Sequence, residues 1–360
     1  MTLRIRLASP MGDREQLLNL YKRNFTHIDG YFAERFDWHS RLNPVGEGWT
    51  WILYEQRTGR CVGATSLFPR QVYVDERQLK VGQVMLFAVD ASYRGLGPAV
   101  QLQRATFQPV DSGQLDFCYD CPPHDEGMST FARLGMRANC EVTRFVLPLR
   151  SDEYLGKRLG AGAWAKPVIG TANLLLRIRR SRRDLHGLEM AEFDGAFGDE
   201  FSELDKAAPT SGLIRGRRSA DILNWLYRNR QVPPKRLPNG ELEKARVIVA
   251  RRGGELQGFV AYAAQTDNLV GIGDLFGTDL THVGRPLLDA VIEFARRNRA
   301  YAVYAYSTPG SELSRLLQSA GFRPRERAAR VVAYENFGGR SPRRLDNGLR
   351  WAFSQVELMA

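Results

Sequence analysis

The chain has 360 residues, of which 43% are hydrophobic and 25% charged. That length and balance exclude a disordered chain, a fibrous repeat and a small disulfide-stapled scaffold, and they suggest two domains. The net charge of +11 comes from arginine rather than lysine, and it suits a nucleic acid, an anionic membrane or an anionic ligand without choosing among them.

In chain order, Leu3–Leu7 reads as a strand and residues 13–24 as a helix, with Leu17, Leu18 and Leu20 beside Tyr21. Strands are expected at Trp49–Glu55, 62–70 and 81–89, the first two joined by a turn at Thr58-Gly59. A helix is expected over 98–107, since Gly97-Pro98 suits the residue before the helix and its first position. A short buried strand at 116–119, a helix at 128–134 stopped by Gly135, and a strand at 141–149 complete the first half. This order predicts an α/β (α+β) class with a mixed, mainly antiparallel sheet that contains one βαβ unit and is flanked by helices.

The second half repeats the first. Pro123 falls on Pro309, Gly135 on Gly321 and Arg137 on Arg323 at one offset. Trp51–Phe68 matches Arg246–Ala263, with Gly63 over Gly258, and Trp38 and Arg41 match Trp225 and Arg228. Three matches in order, at nearly the same spacing, predict a duplicated domain. The expected division is residues 1–150, a bridging segment 151–187, and 188–360.

The bridge is Gly/Ala-rich and then basic, with Arg177, Arg179, Arg180, Arg182 and Arg183. A bridging helix with a solvated basic end is the plain reading. Peripheral contact of residues 157–183 with an anionic membrane is the sharper one. No aromatic interleaving accompanies the run, so no specific nucleic-acid partner is expected. Four cysteines are too few for a disulfide framework, and Met1–Leu7 lacks the apolar core of a signal peptide. The longest apolar stretch, 159–178, is interrupted by Lys166, Pro167 and Arg177, so a spanning helix is not expected. The expected location is cytoplasmic.

The segment that carries chemistry runs from Val84 to Ala99, an apolar strand, a turn bearing Gly95 and Gly97, and a helix start. Such a turn aims backbone N–H groups at an anion, and its glycines allow close approach. Arg94-Gly95-Leu96-Gly97-Pro98-Ala99 resembles the R/Q-x-x-G-x-G/A signature of the GNAT superfamily of acyl-CoA-dependent N-acyltransferases. The element order resembles that family's too. Trp38-His39-Ser40-Arg41-Leu42-Asn43-Pro44 is similar to a segment common in tandem members. The resemblance implies two tandem GNAT-like domains and an acetyl-CoA or other acyl-CoA cosubstrate. It places the pantetheine arm on Phe87, Ala88 and Val89 and the pyrophosphate on Arg94, Gly95, Leu96, Gly97, Pro98 and Ala99. Proline at 98 removes one donor from that cradle. The second copy reads Thr281-His282-Val283-Gly284-Arg285-Pro286, which keeps one glycine and loses the rest of the signature. It is expected to be degenerate, with weak or absent CoA binding.

The resemblance also shows what is missing. The slot where many members carry a glutamate base holds Gln83, which positions water but takes no proton. The slot of the usual tyrosine acid holds Phe131, and Leu317 in the second copy. The remaining candidates near the acyl end are Tyr119, Asp120, His124 and Asp125, with His124 suited to act as base near neutral pH. Asp120 and Asp125 also read as turn or helix caps. Cys118, Cys121 and His124 form C-x-x-C-x-x-H without a second ligand pair, so no metal site is expected and Cys118 reads as a buried packing residue.

The implied activity is transfer of an acetyl or other acyl group to a primary amine of a small molecule, such as an amino sugar or amino acid. Direct attack would occur in a cleft between the halves, with a strand N–H near Phe87–Val89 holding the oxyanion. Two alternatives stand beside it: a non-catalytic acyl-CoA or metabolite binder, and a relative of the aminoacyl-tRNA-dependent transferases with two such domains.

Overall fold

The computed structural model describes residues 2–9, 11–25, 32–94, 96–123, 125–150, 187–228, 245–265, 267–336, 345 and 348–359. The basic bridge, apart from Gly187, lies outside them, so its membrane-facing reading is a sequence expectation only.

In the first half, β1 (Leu3–Leu7), β2 (Trp49–Glu55), β3 (Cys61–Val74) and β4 (Arg77–Val89) run antiparallel in that order. Helices α1 (Arg14–Asn24) and α2 (Phe32–Ser40) cover one face. Leu17, Leu20 and Tyr21 of α1 and Phe36 of α2 are buried with Ile52, Ala64 and Ala88, while Leu18, expected beside them, is only partly buried. Helix α3 (Leu96–Ala105) and the short α4 (Gln108–Asp111) cover the other face, where Leu102 and Val110 meet Trp51, Leu53 and Leu67. Then come β5 (Phe117–Asp120), α5 (Asp125–Arg133) and β6 (Cys140–Pro148). Helix α3 begins two residues earlier than Gly97-Pro98 suggests. Pro98 therefore sits at the third helical position, where its missing N–H costs nothing because the first turn has no intrahelical acceptors.

The second half follows the same order with three additions, a strand between its first two helices and a strand and a helix at its end, and with no counterpart of α4 among the described residues. It contains β7 (Glu189–Phe193), α6 (Asp199–Ala207), β8 (Leu213–Gly216), α7 (Ala220–Tyr227), β9 (Arg246–Arg252), β10 (Glu255–Ala264) and β11 (Leu269–Gly277). After these come α8 (Arg285–Arg297), β12 (Ala302–Ser307), α9 (Glu312–Ser319), β13 (Arg323–Glu335), β14 (Arg350–Trp351) and α10 (Gln355–Met359). Its core lies under α8, whose Leu287, Leu288, Val291 and Ala295 pack on Val260, Val270 and Val303.

The strands among the described residues join one 14-stranded sheet, mostly antiparallel, with the main order β1-β2-β3-β4-β5-β13-β6-β12-β11-β10-β9-β7. The order is a palindrome once each second-half strand is set against its first-half counterpart. The corresponding strands β6 and β13 have each crossed to the other half: β13 pairs with β5 over Val332↔Asp120 to Glu335↔Phe117, and β6 pairs with β12 over Pro148↔Ala302 to Thr143↔Ser307. The two halves are thus not separate sheets, because β6 and β13 pair with each other at the centre.

Trp38 and Trp225 mark the same pseudo-symmetry. Their rings stack at 4.3 Å, and each indole N–H donates to the other's backbone carbonyl, at 3.1 and 3.2 Å. Core packing, not ligand contact, is what these tryptophans do. Trp38→Phe keeps the stack but leaves the buried Trp225 carbonyl without that donor. An unmet buried group costs about 1–3 kcal/mol, so urea unfolding of this variant should show a loss of that size.

Candidate active site

The site starts from an interrupted strand pair. β4 and β5 run parallel only over Gly82↔Cys118, Gln83↔Tyr119 and Val84↔Asp120. Beyond Val84 the two strands part, and Met85–Val89 keep β3 as their strand neighbour on one side. The β3–β4 register slips between Ala64↔Ala88 and Ser66↔Met85, and Leu86 stands at φ 55°. This is a β-bulge, which turns local backbone groups out of the ladder. A wedge results, and among the described residues no strand pairs with the Met85–Val89 edge that faces it.

The vertex is tight. A methyl group at Gly82 would meet Leu67 Cδ1 at 2.5 Å and Leu115 Cδ1 at 2.9 Å, so only glycine fits there. At the open end the chain leaves β4 through Asp90, a single 3₁₀ turn (Ala91–Tyr93) and Arg94 into α3. Gly97 is exposed in the first turn of α3, and a side chain there would meet nothing within 4 Å. Pro98 and Ala99 are half-buried beside it, while Gly95 lies outside the described residues. Phe87 and Val89 pack on the α3 face and Ala88 on the α1 face, so the wedge presents their backbone rather than their side chains.

Arg94 is anchored by Nε to the Val89 carbonyl at 3.2 Å and by Nη2 to Asn24 Oδ1 at 3.3 Å. Asn24 in turn donates to Asp90, which also accepts from Arg23 and Arg60. Burial alone would raise the Asp90 carboxyl, but Arg23, Asn24 and Arg60 override it and hold the group below its usual range. Sequence reading missed this network because its members lie on three elements far apart in the chain.

Asp120 stands where the wedge opens. Burial pushes its carboxyl up to about 7, against the opposing hydrogen bond from the Cys121 backbone. Tyr119 points into the opposite core with Phe117 and Phe353 and is 2% exposed; burial raises its phenol well above the usual value. That correction to the expected role has a plain cause, since successive strand residues face opposite sides. Gln83 departs from expectation too. It is 1% exposed, accepts from Arg70 Nε at 3.0 Å and donates to the Glu357 carbonyl at 2.8 Å, so its amide ties strand to C-terminal helix instead of holding water. Phe131 is buried. Asp125 is exposed and pairs with Arg327 and Arg330. His124 lies outside the described residues. Cys118 is buried on the α3 face, where burial pushes its thiol up. No metal-holding group of side chains occurs among the described residues.

The second half has the corresponding wedge, and it is closed. β11 and β12 pair only over Leu269↔Ala302 to Ile272↔Ala305. The C-terminal segment fills the space: Ser354 bridges Ser307, and the Thr308 N–H donates to the Phe353 carbonyl at 3.1 Å. The turn that would cradle phosphate is one turn of π-helix, Leu280–Gly284, and the Asp279 carboxylate already accepts from the N–H groups of Thr281 and His282. An internal anion therefore sits where an external one would. Ala305 stands opposite Ile272 at the end of that ladder, as Asp120 stands opposite Val84 in the first half, so no carboxylate occupies this position.

Residues 4–124 match the family model of the acetyltransferase (GNAT) domain. No curated protein matches the chain. Among solved structures, a conserved protein of unknown function from Enterococcus faecalis V583 superposes with a TM-score of 0.62 at 12% identity, over 92% of this chain and 72% of that one. A GCN5-related N-acetyltransferase from Anabaena variabilis ATCC 29413 gives 0.62 at 15% identity, with 92% and 72% covered. Saccharomyces cerevisiae N-myristoyltransferase with bound myristoyl-CoA gives 0.57 at 10% identity, with 92% and 82% covered. At such identities these likenesses speak for the fold. No helix among the described residues is long and apolar enough to cross a membrane.

Proposed function

We propose, for a chain that belongs to the GNAT superfamily, that its first half transfers an acyl group from acyl-CoA to a primary amine of a small molecule. The observation that carries this reading is the pairing of an open β4–β5 wedge with a free helix start at Gly97, while the second wedge is filled. The residues fit the cosubstrate: the one-sided edge Met85–Val89 suits the amides of a pantetheine arm, and the first turn of α3 suits a pyrophosphate. The bulge at Leu86 supplies a turned-out backbone group of the kind that holds a developing oxyanion.

Asp120 is the base in this reading. A carboxyl poised at about 7 is half ionised at working pH and strong enough to take an ammonium or amine proton. As the amine nitrogen bonds to the thioester carbon, Asp120 takes the nitrogen's proton. The carbon–sulfur bond breaks and its electron pair leaves with sulfur, which is protonated from water. The products are an amide and CoA. Residues 1–150 act as the cosubstrate half in this proposal, and 188–360 as the half that completes the acceptor side.

The test is acetyl-CoA binding by calorimetry, followed by CoA release across a panel of amino sugars, amino acids and polyamines. Binding with release for at least one amine is the expected result. Binding without release for any amine would favour a non-catalytic acyl-CoA binder, a reading supported by the absence of a tyrosine at Phe131. No binding would overturn both.

A further inference from the structure

The filled second wedge is connected to the open first one by a line of buried polar contacts. Asp274, on β11 inside the second wedge, is 2% exposed and receives Arg218 Nε at 2.6 Å. Arg218 Nη1 lies 2.6 Å from Glu357 Oε1. The other Glu357 oxygen accepts from the Ser354 N–H at 2.7 Å and from its hydroxyl at 2.9 Å. The backbone carbonyl of the same Glu357 accepts from Gln83 Nε2 at 2.8 Å, and Gln83 Oε1 accepts from Arg70. Gln83 lies on β4 next to Val84, the residue opposite Asp120 at the mouth of the first wedge.

This line is dry and tight. Arg218 and Glu357 are each 4% exposed, so water does not loosen the contacts. Gly216 leaves no slack, since a methyl group there would meet Glu357 Oε1 at 2.6 Å and Arg218 Nη1 at 2.7 Å. Apolar side chains would close the second wedge as well as ions do, because a buried ion cluster adds little net stability after desolvation. What ions and a bidentate guanidinium add is a defined geometry.

We infer that Asp274, Arg218 and Glu357 are positioning residues: the second half has given up its own wedge to the C-terminal segment, and through Glu357 that segment sets Gln83 and the mouth of the first wedge. In its kinetic part this inference rests on the proposed acyl transfer. Its structural part does not.

Asp274→Asn keeps the shape, removes one carboxylate and leaves Arg218 paired with Glu357, so the chain should fold. Hydrogen–deuterium exchange of the full chain, without ligand, should show residues 82–88 exchanging about tenfold faster, although the substitution is in the other half. With acetyl-CoA and a reactive amine, kcat should fall about tenfold while KM for acetyl-CoA changes less than about twofold. Gln83→Leu should give the same loss, and the double variant no more than either alone. Gly216→Ala pushes on the same contact without changing charge, and it carries the test if Asp274→Asn does not fold. Faster exchange confined to 269–277 and 352–359, with 82–88 unaltered, would overturn the inference, as would additive losses in kcat. A wild-type chain that releases no CoA would defeat the proposed function and leave the exchange result to decide the coupling.

Discussion

Gly97→Glu is expected to weaken acetyl-CoA binding at least a hundredfold, about 3 kcal/mol or more, with the fold unchanged. The two halves of that statement have different causes. The position is exposed and an added side chain meets nothing, so sterics permit the substitution. Acidic residues are also well tolerated in the first turn of a helix, where they face the positive end of its dipole. A carboxylate there competes for the same N–H groups as the pyrophosphate and repels it. Calorimetric titration with acetyl-CoA, beside a thermal melt of the unliganded chain, separates loss of binding from loss of fold. Unchanged affinity would mean that the cosubstrate does not use this turn.

Asp120→Asn is the second large effect. Removal of a general base typically costs two to four powers of ten, so kcat should fall about 10²–10³-fold with KM for acetyl-CoA little altered. The pH dependence supplies the sign. Burial raises the Asp120 carboxyl to about 7, so the ionised, proton-accepting form is scarce at pH 5.5 and dominant at pH 8. The wild-type rate should therefore climb with pH through about 7 and then level. Asparagine cannot ionise, so that limb should vanish. A profile of kcat/KM for wild type and variant decides it. An unchanged rising limb in Asp120→Asn would move the search for the base to another group.

These expectations show which parts of the site were legible in the residues themselves. The strand, Gly-bearing turn and helix start from Val84 to Ala99 form a local motif, and the structure follows β4 with a turn and a helix there, the helix starting two residues before Pro98. The loss of the signature at Thr281–Pro286 was equally visible, and the structure adds its physical form, a turn whose N–H groups bond to Asp279. The Gln83 and Tyr119 roles were not legible. Whether a strand residue faces a ligand or a core depends on what packs against that face. For Tyr119 that is Phe353, and for Gln83 it is Arg70 and Glu357. A signal for the buried cluster did exist in Asp274, a lone acid in the apolar strand Leu269–Gly277, since a charge in such a place needs a buried partner. The partner's identity had no signal.

Composition left the arginine excess without a role, and the structure assigns part of it to the interior. Arg70, Arg215 and Arg218 are all buried, and Arg215 and Arg218 reach the carboxylates Asp205, Asp274 and Glu357. A planar guanidinium with several donors meets such clustered acceptors where lysine would not.

By itself the sequence pointed to the main strands and helices of the first half, to a repeat between the halves and to a Gly-bearing turn before α3, because periodicity, turn chemistry and self-similarity are written within short windows. Only the tertiary structure decided that β6 and β13 cross between the halves, that the C-terminal segment closes the second wedge, and that burial pushes the Asp120 carboxyl up to about 7. Each of these depends on contacts between residues remote in the chain, such as Asp120 with Val332, Ser307 with Ser354 and Gln83 with Glu357. Strand pairing is set by competition among edges across the whole molecule, and a carboxyl's affinity for its proton by the water that folding removes.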